Sequence, residues 1–150
     1  MRAIIQAAYG PPDVVLTVQD VPKPTVGDGD VLVRVHAAPV AGDDWHLVQG
    51  LPYAARVATG VRKPKNRIAG LQMAGTVEAV GHQVSAFQAG DEVFGWCAGS
   101  FAEYVAVPAG QLALKPINLS LEEAAAVPIS AFTAFQGVRD RGACKPARAS

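Results

Sequence analysis

Four consecutive residues, Asp43, Asp44, Trp45 and His46, bring two carboxylates, an indole and an imidazole together within residues 31–50. An imidazole titrates near neutral pH and suits a proton relay or a hydrogen-bonding role. A carboxylate does acid-base work at that pH only where burial raises its pKa. The same residues also have structural uses. Asp43 or Asp44 can accept hydrogen bonds from the free backbone N–H groups of a short helix, and a histidine on such a helix can simply face solvent. Cys97 and Cys144 are the only thiols, and neither belongs to a CxxC pair or lies near a spaced histidine pair. A disulfide framework or a structural zinc is therefore not expected. His36 and His82 suggest no chemistry.

The elements around this cluster set its position. Val31, Val33 and Val35 alternate with Leu32, Arg34 and His36, a period of two that predicts a strand buried mainly on one face and ending near Pro39. A one-turn helix over 45–49 should follow and stop at Gly50. Upstream, residues 2–8 and 14–21 read as strands bridged by a turn at 10–13, and prolines and glycines over 22–29 mark a loop. Residues 50–67 lose the pattern and carry Arg56, Arg62, Lys63, Lys65 and Arg67. They predict a mobile, solvated basic loop, or one that grips an anionic group such as a phosphate.

Strand signals return at Ile68, with Gly70 and Gly75 inside the run suggesting a bulge or a close backbone approach. Further strands are predicted over 84–87, 91–96, 100–108 and 111–116, which makes seven or eight short strands and points to a barrel or sandwich. Ser120 and Glu123 form a capping box ahead of a helix over 121–127. Pro128 interrupts it. A second helix is expected from Ser130 to Gly142, with Phe132, Phe135 and Val138 on one face that needs a cover. Trp45, Tyr53 and Trp96 would line an apolar cleft or belong to the core.

Composition narrows the function classes. The chain has 150 residues, half of them hydrophobic, enough for one domain with a real core. Thirteen basic residues balance thirteen acidic ones, so the field that gathers nucleic acid or an anionic membrane is missing. No apolar run approaches the roughly 20 residues needed to span a bilayer, and no leader pattern follows Met1, which predicts a cytoplasmic protein without membrane insertion. No G-x-G-x-x-G turn occurs; residues 95–100, GWCAGS, precede a strand pattern and read as a loop.

The ordered series AGLQMAGTVEAVG, AFQAGDEVFGW, SFAEYVAVP, LSLEEAAAVPISAFTAFQGV and GACKP resembles the medium-chain dehydrogenase/reductase superfamily, and its zinc-independent quinone oxidoreductase branch most closely. The resemblance spans nearly the whole chain. It implies a mainly β fold with C-terminal helices, a GroES-like partly open β-barrel over 1–127. Residues 128–150 would be a junction helix and the truncated start of a nucleotide-binding domain. It further implies NADPH or NADH as coenzyme, a small apolar carbonyl compound or quinone as substrate, and a proton-relay role for His46 near the coenzyme ribose. Asp43 falls where zinc-using relatives carry a proton-passing Ser or Thr, Asp44 matches a widespread Asp, and Thr133 matches a Thr beneath the nicotinamide. Asp44 and Thr133 also have plainer readings, as a helix cap and a buried helix hydroxyl.

Three departures qualify the resemblance. Ala41 occupies the position of a zinc-ligating cysteine, and Leu71-Gln72 that of a His-Glu pair, so no catalytic zinc is expected. Ala41-Gly42 replaces an Asn-Pro whose amide could hydrogen-bond near the nicotinamide. The glycine-rich pyrophosphate turn is missing, which predicts weak or no NADPH binding by these 150 residues alone. The alternatives kept open are a non-catalytic remnant or interaction module prone to self-association, and one half of a split enzyme with a separately encoded nucleotide-binding domain.

Overall fold

The structure is a computed structural model, and it describes residues 1–141. Two antiparallel strands, β1 (Arg2–Gln6) and β2 (Leu16–Asp20), form a ribbon. The main sheet contains β3 (Asp30–Ala37), β4 (Gln72–Val80), β5 (Glu92–Trp96), β6 (Tyr104–Pro108) and β7 (Leu112–Leu114), ordered β6-β3-β4-β5-β7 and antiparallel throughout. Single bridges, Ala3 to Ala102 and Ile5 to Ile68, tie the ribbon to the loops beside this sheet. The architecture is mainly β with C-terminal helices, as the sequence implied. The five-stranded sheet is open, with β6 and β7 at its edges.

The alternating valines of β3 do what their period requires, since Val31 and Val33 are fully buried in a core with Met73, Val77, Val93 and Val107. Leu32, on the opposite face, is buried as well, so the first half of β3 is covered on both sides. Register shifts in the β3–β4 pair mark the irregularity that the internal glycines foretold. Gly75 is the close approach: a Cβ there would lie 2.1 Å from the Arg34 carbonyl oxygen.

Several elements differ from expectation. Residues 84–87 make no strand; Val84 and Phe87 pack on the core from a loop, and apolar burial alone produced the strand-like pattern. Pro12, favoured at a helix start, opens helix α1 (Pro12–Val15) where the second strand was expected to begin. Segment 50–67 is not simply mobile. It holds a 3₁₀ turn and helix α3 (Arg56–Thr59), and Arg56 is clamped between the rings of Tyr9 (4.5 Å) and Tyr53 (4.7 Å).

The Ser120–Glu123 capping box forms in both directions, at 2.8 and 3.1 Å, and starts α4 (Leu121–Ala125). Ala124 and Ala125 pack this helix on Ala74 of β4. Helix α5 (Pro128–Phe135) begins at Pro128 itself, because proline fits the first helical turn, and a π turn continues it to Arg141. The predicted helix end at Gly142, and Cys144, lie outside the described residues. No helix among the described residues is long and apolar enough to cross a membrane.

Candidate functional site

Helix α2 (Gly42–Gln49) carries most of the chemistry-bearing residues, and its two ends explain its position. Ala41 precedes it in extended conformation, and the Ala41 N–H donates to Asp44 Oδ2 at 2.9 Å. The helix therefore starts before Trp45, and neither aspartate is its N-terminal cap residue. Asp44 reaches back from the third helical position, forming half of a capping box whose other half is impossible because alanine has no side-chain oxygen. Gly50 ends the helix with φ of +69°, as expected. A Cβ there would meet Tyr9 at 2.6 Å and Arg56 Nε at 2.7 Å, and Arg56 Nε also donates to the Gly50 carbonyl at 2.9 Å.

The helix sorts its residues onto opposite sides. Asp43, Trp45 and His46 are exposed, with the Trp45 and His46 rings edge to face at 5.2 Å. Of the four clustered residues Asp44 alone turns inward, 4% exposed beside the buried Val48, and its Oδ1 has no hydrogen-bond partner. Burial raises the Asp44 pKa, the Ala41 hydrogen bond opposes that, neighbouring Asp43 adds to it, and the Leu71 amide opposes it. Asp44 lines a cavity of about 260 Å³ walled by α2, α3, the end of β1 and the Gly70-Leu71 loop. Two polar side chains in its wall are already committed. Gln6 Nε2 donates to the Ala8 and Val48 carbonyls, both at 3.0 Å, and the Tyr9 hydroxyl donates to the Gly60 carbonyl at 2.8 Å. Gly70, at φ of +97°, passes so near the fully buried Ser100 that a Cβ would sit 2.3 Å from Ser100 Oγ, a second buried oxygen without a partner.

A second concavity of about 860 Å³ lies between β5, β7 and α5, with Phe94, Trp96, Leu112, Ile129, Phe132 and Thr133 on its walls. Gln72, 2% exposed, anchors the helical wall: its Oε1 accepts the Ile129 N–H at 2.9 Å. Thr133 is exposed rather than buried, and Trp96 is 52% exposed. Neither Trp96 nor Trp45 (48%) nor Tyr53 (70%) is a core aromatic.

The predicted site residues thus fall into two places. Ala41, Asp43, Asp44 and His46 sit at or on α2, and Thr133 sits on α5. Among the described residues no hydrogen bond or ring contact joins Thr133 to the others. A zinc ion does not fit beside Asp44, because the adjoining Ala41 and Leu71 side chains are hydrocarbon, and among the described residues no three of His, Cys, Asp or Glu converge. Cys97 is a core thiol, its pKa pushed up to about 12 by burial. Gln6 has no predicted role, Gln72 is expected only as a replaced metal ligand, and Arg56 is expected to be solvated or to grip an anion rather than to stack between tyrosines. A lone glutamine inside an apolar strand, as in AIIQAA and AGLQMAG, is the signal that could have found the first two.

Comparison with known proteins adds lineage to this geometry. The sequence profile of the alcohol dehydrogenase GroES-like domain matches residues 27–117. A quinone oxidoreductase of Lama guanicoe is 34% identical over 141 residues, covering 92% of this chain and 40% of the relative. An NADPH-dependent alkenal/one oxidoreductase of Arabidopsis thaliana is 32% identical over 148 residues, covering 92% of this chain and 37% of the relative. The solved quinone oxidoreductase of Coxiella burnetii superposes with a TM-score of 0.80 at 28% identity, covering 93% of this chain and 44% of that one. The chain spans about two fifths of the length of the curated relatives it matches.

Proposed function

From a chain that belongs to the alcohol dehydrogenase GroES-like domain family, we infer the substrate-side domain of a zinc-free, NAD(P)H-dependent oxidoreductase acting on quinones or enones. The observation that carries this reading is the hydrocarbon pair Ala41 and Leu71 flanking Asp44, in a fold whose relatives include reductases of quinones and of alkenals and alkenones. Without a metal to polarise the carbonyl, orientation and hydrogen bonding must do that work.

The coenzyme supplies the hydride when bound. Thr133, an exposed hydroxyl in a mostly apolar groove, is assigned to the nicotinamide end, and Ala41 and His46, at and on α2, are assigned to the coenzyme as well. His46, an exposed imidazole, is assigned the proton relay, and Asp43 lies three positions before it on the same helix. Residues 1–127 form the catalytic domain in this reading, and α5 begins the junction to a nucleotide-binding domain. The protein acts in the cytoplasm on small apolar substrates.

A fusion tests this. Attaching the coenzyme domain of a quinone oxidoreductase after residue 141 should yield NADPH-dependent reduction of naphthoquinone or of a simple enone, undiminished by a metal chelator. A fusion that folds and binds NADPH yet reduces neither compound would contradict the assignment.

The exposed apolar face of α5 favours a second reading. Phe132, Phe135 and Val138 are 65%, 53% and 58% exposed. Burying such side chains is worth roughly 1.5–3 kcal/mol each, so the face favours association, with a separately encoded nucleotide-binding domain or with a second copy in a non-catalytic module. Sedimentation of the 150-residue chain separates the two, because a strict monomer at high concentration removes the self-association form.

A further inference from the structure

We propose that the cavity beneath α2 binds a small planar organic cation with N–H donors, of the amidinium class, anchored on Asp44 Oδ1. The proposal is independent of hydride transfer and of any second domain, since the cavity is built wholly from residues 6–99.

The carboxylate is the first ground. Asp44 is 4% exposed, and Oδ2 is committed to the Ala41 N–H. Rotating Oδ1 toward another donor would release that bond and uncap α2. An acceptor oxygen left buried without a partner is costly, so a donor delivered from outside gains more here than at a solvated carboxylate.

The walls are the second ground. The amide hydrogens of Gln6 and the hydroxyl hydrogen of Tyr9 are spent on backbone carbonyls, and the Thr59 hydroxyl donates to the Ala55 carbonyl at 3.2 Å. Lys65 and Asn66 also line the wall and the Leu71 amide acts on the carboxylate, but none of them makes a hydrogen bond to Oδ1. The Tyr9 and Thr59 oxygens keep lone pairs for a second N–H. Leu47, Val48 and Ile68 supply apolar surface for the body of a flat ligand.

Size and charge set the class. A volume of 260 Å³ far exceeds the roughly 30 Å³ share of one water and admits a ligand of several heavy atoms. An amidinium matches a carboxylate through charge-assisted N–H donors, which a neutral amide lacks. Asp43, the next residue, adds negative charge, and Lys65, an exposed lining residue, is a cation with which the ligand must compete.

The test uses the 150-residue chain, labelled with nitrogen-15 and titrated at neutral pH with acetamidinium chloride at constant ionic strength. Saturable shifts are expected at the amides of Asp44, Leu71 and Gly99. Acetamide, the uncharged isostere, should bind at least about tenfold more weakly. Asp44→Asn keeps an oxygen for the Ala41 N–H and removes the charge, so its affinity for acetamidinium should also fall at least about tenfold. Absence of saturable shifts at these amides would overturn the proposal, as would equal affinity for acetamide and acetamidinium. The comparison of the two probes on the unaltered chain decides the matter even if the variant does not fold.

Discussion

The two concavities of this molecule differ in how far the chain completes them. The cavity beneath α2 is an open pocket lined by several segments, fixed by Arg56, Gln6 and Tyr9, and contains one buried carboxylate oxygen without a partner. The groove under α5 has one firm wall, the β5–β7 pair, and one wall whose residues are mostly exposed and held at its start by Gln72. The second is a surface whose apolar side chains gain free energy only when another body covers them. The buried carboxylate and the exposed apolar surface therefore lie in separate places.

Perturbing the core strand β4, which lies next to the Gly70-Leu71 loop and carries Gln72, should have the largest effect. Met73 is fully buried, and Met73→Ala should cost about 2–5 kcal/mol in urea unfolding. A loss under 1 kcal/mol would mean that the Met73 core is not what holds the sheet together. Gly70→Ala should come next, at about 1–3 kcal/mol, because it demands a Cβ at φ of +97° and displaces Ser100 Oγ. Its chemical-shift changes should centre on the cavity and spare α5.

Gln72→Leu inverts that pattern. It leaves the Ile129 N–H without its acceptor, so stability should drop by about 1 kcal/mol. Amide exchange should accelerate along α5, with the α2 amides unchanged. Acceleration in both places would show that the two regions are coupled.

A pH series separates the regions by charge. Asp44 has a folded-state pKa raised above 3.8, mainly through burial. Below that value it is protonated in both states and its contribution to stability is fully present. As pH rises the unfolded chain ionises first, and that contribution is lost until the folded pKa is passed. The stability difference between the parent chain and Asp44→Asn should therefore shift against the parent as pH rises from 3 toward neutrality. A flat difference would contradict the buried-carboxylate picture. The smallest change in stability belongs to the exposed face: Phe132→Ser should alter stability by less than about 0.5 kcal/mol. Any self-association seen by sedimentation should weaken.

The sequence made the framework legible where one physical constraint dominated. The valine alternation of β3, the left-handed stop at Gly50, the close approach at Gly75 and the Ser120–Glu123 box all follow from local rules, and all are present. The family resemblance is borne out by the GroES-like profile and by the quinone oxidoreductase relatives. Placement of side chains was harder to read. Helical geometry alone turns Asp44 inward and Asp43 and His46 outward, so four adjacent residues do not make one site. The roles of Arg56 and Gln72 depend on partners that are distant in sequence or on ring stacking, which periodicity does not encode. Residues 84–87 mimic a strand because a loop that packs on the core also needs apolar side chains.

The division of labour between the two regions is tested most directly by calorimetric titration of the 150-residue chain with NADPH. No binding tighter than about millimolar is expected, because no glycine-rich turn in these residues can cradle the pyrophosphate. Stoichiometric binding at micromolar concentration would contradict the assignment of this chain to the substrate side.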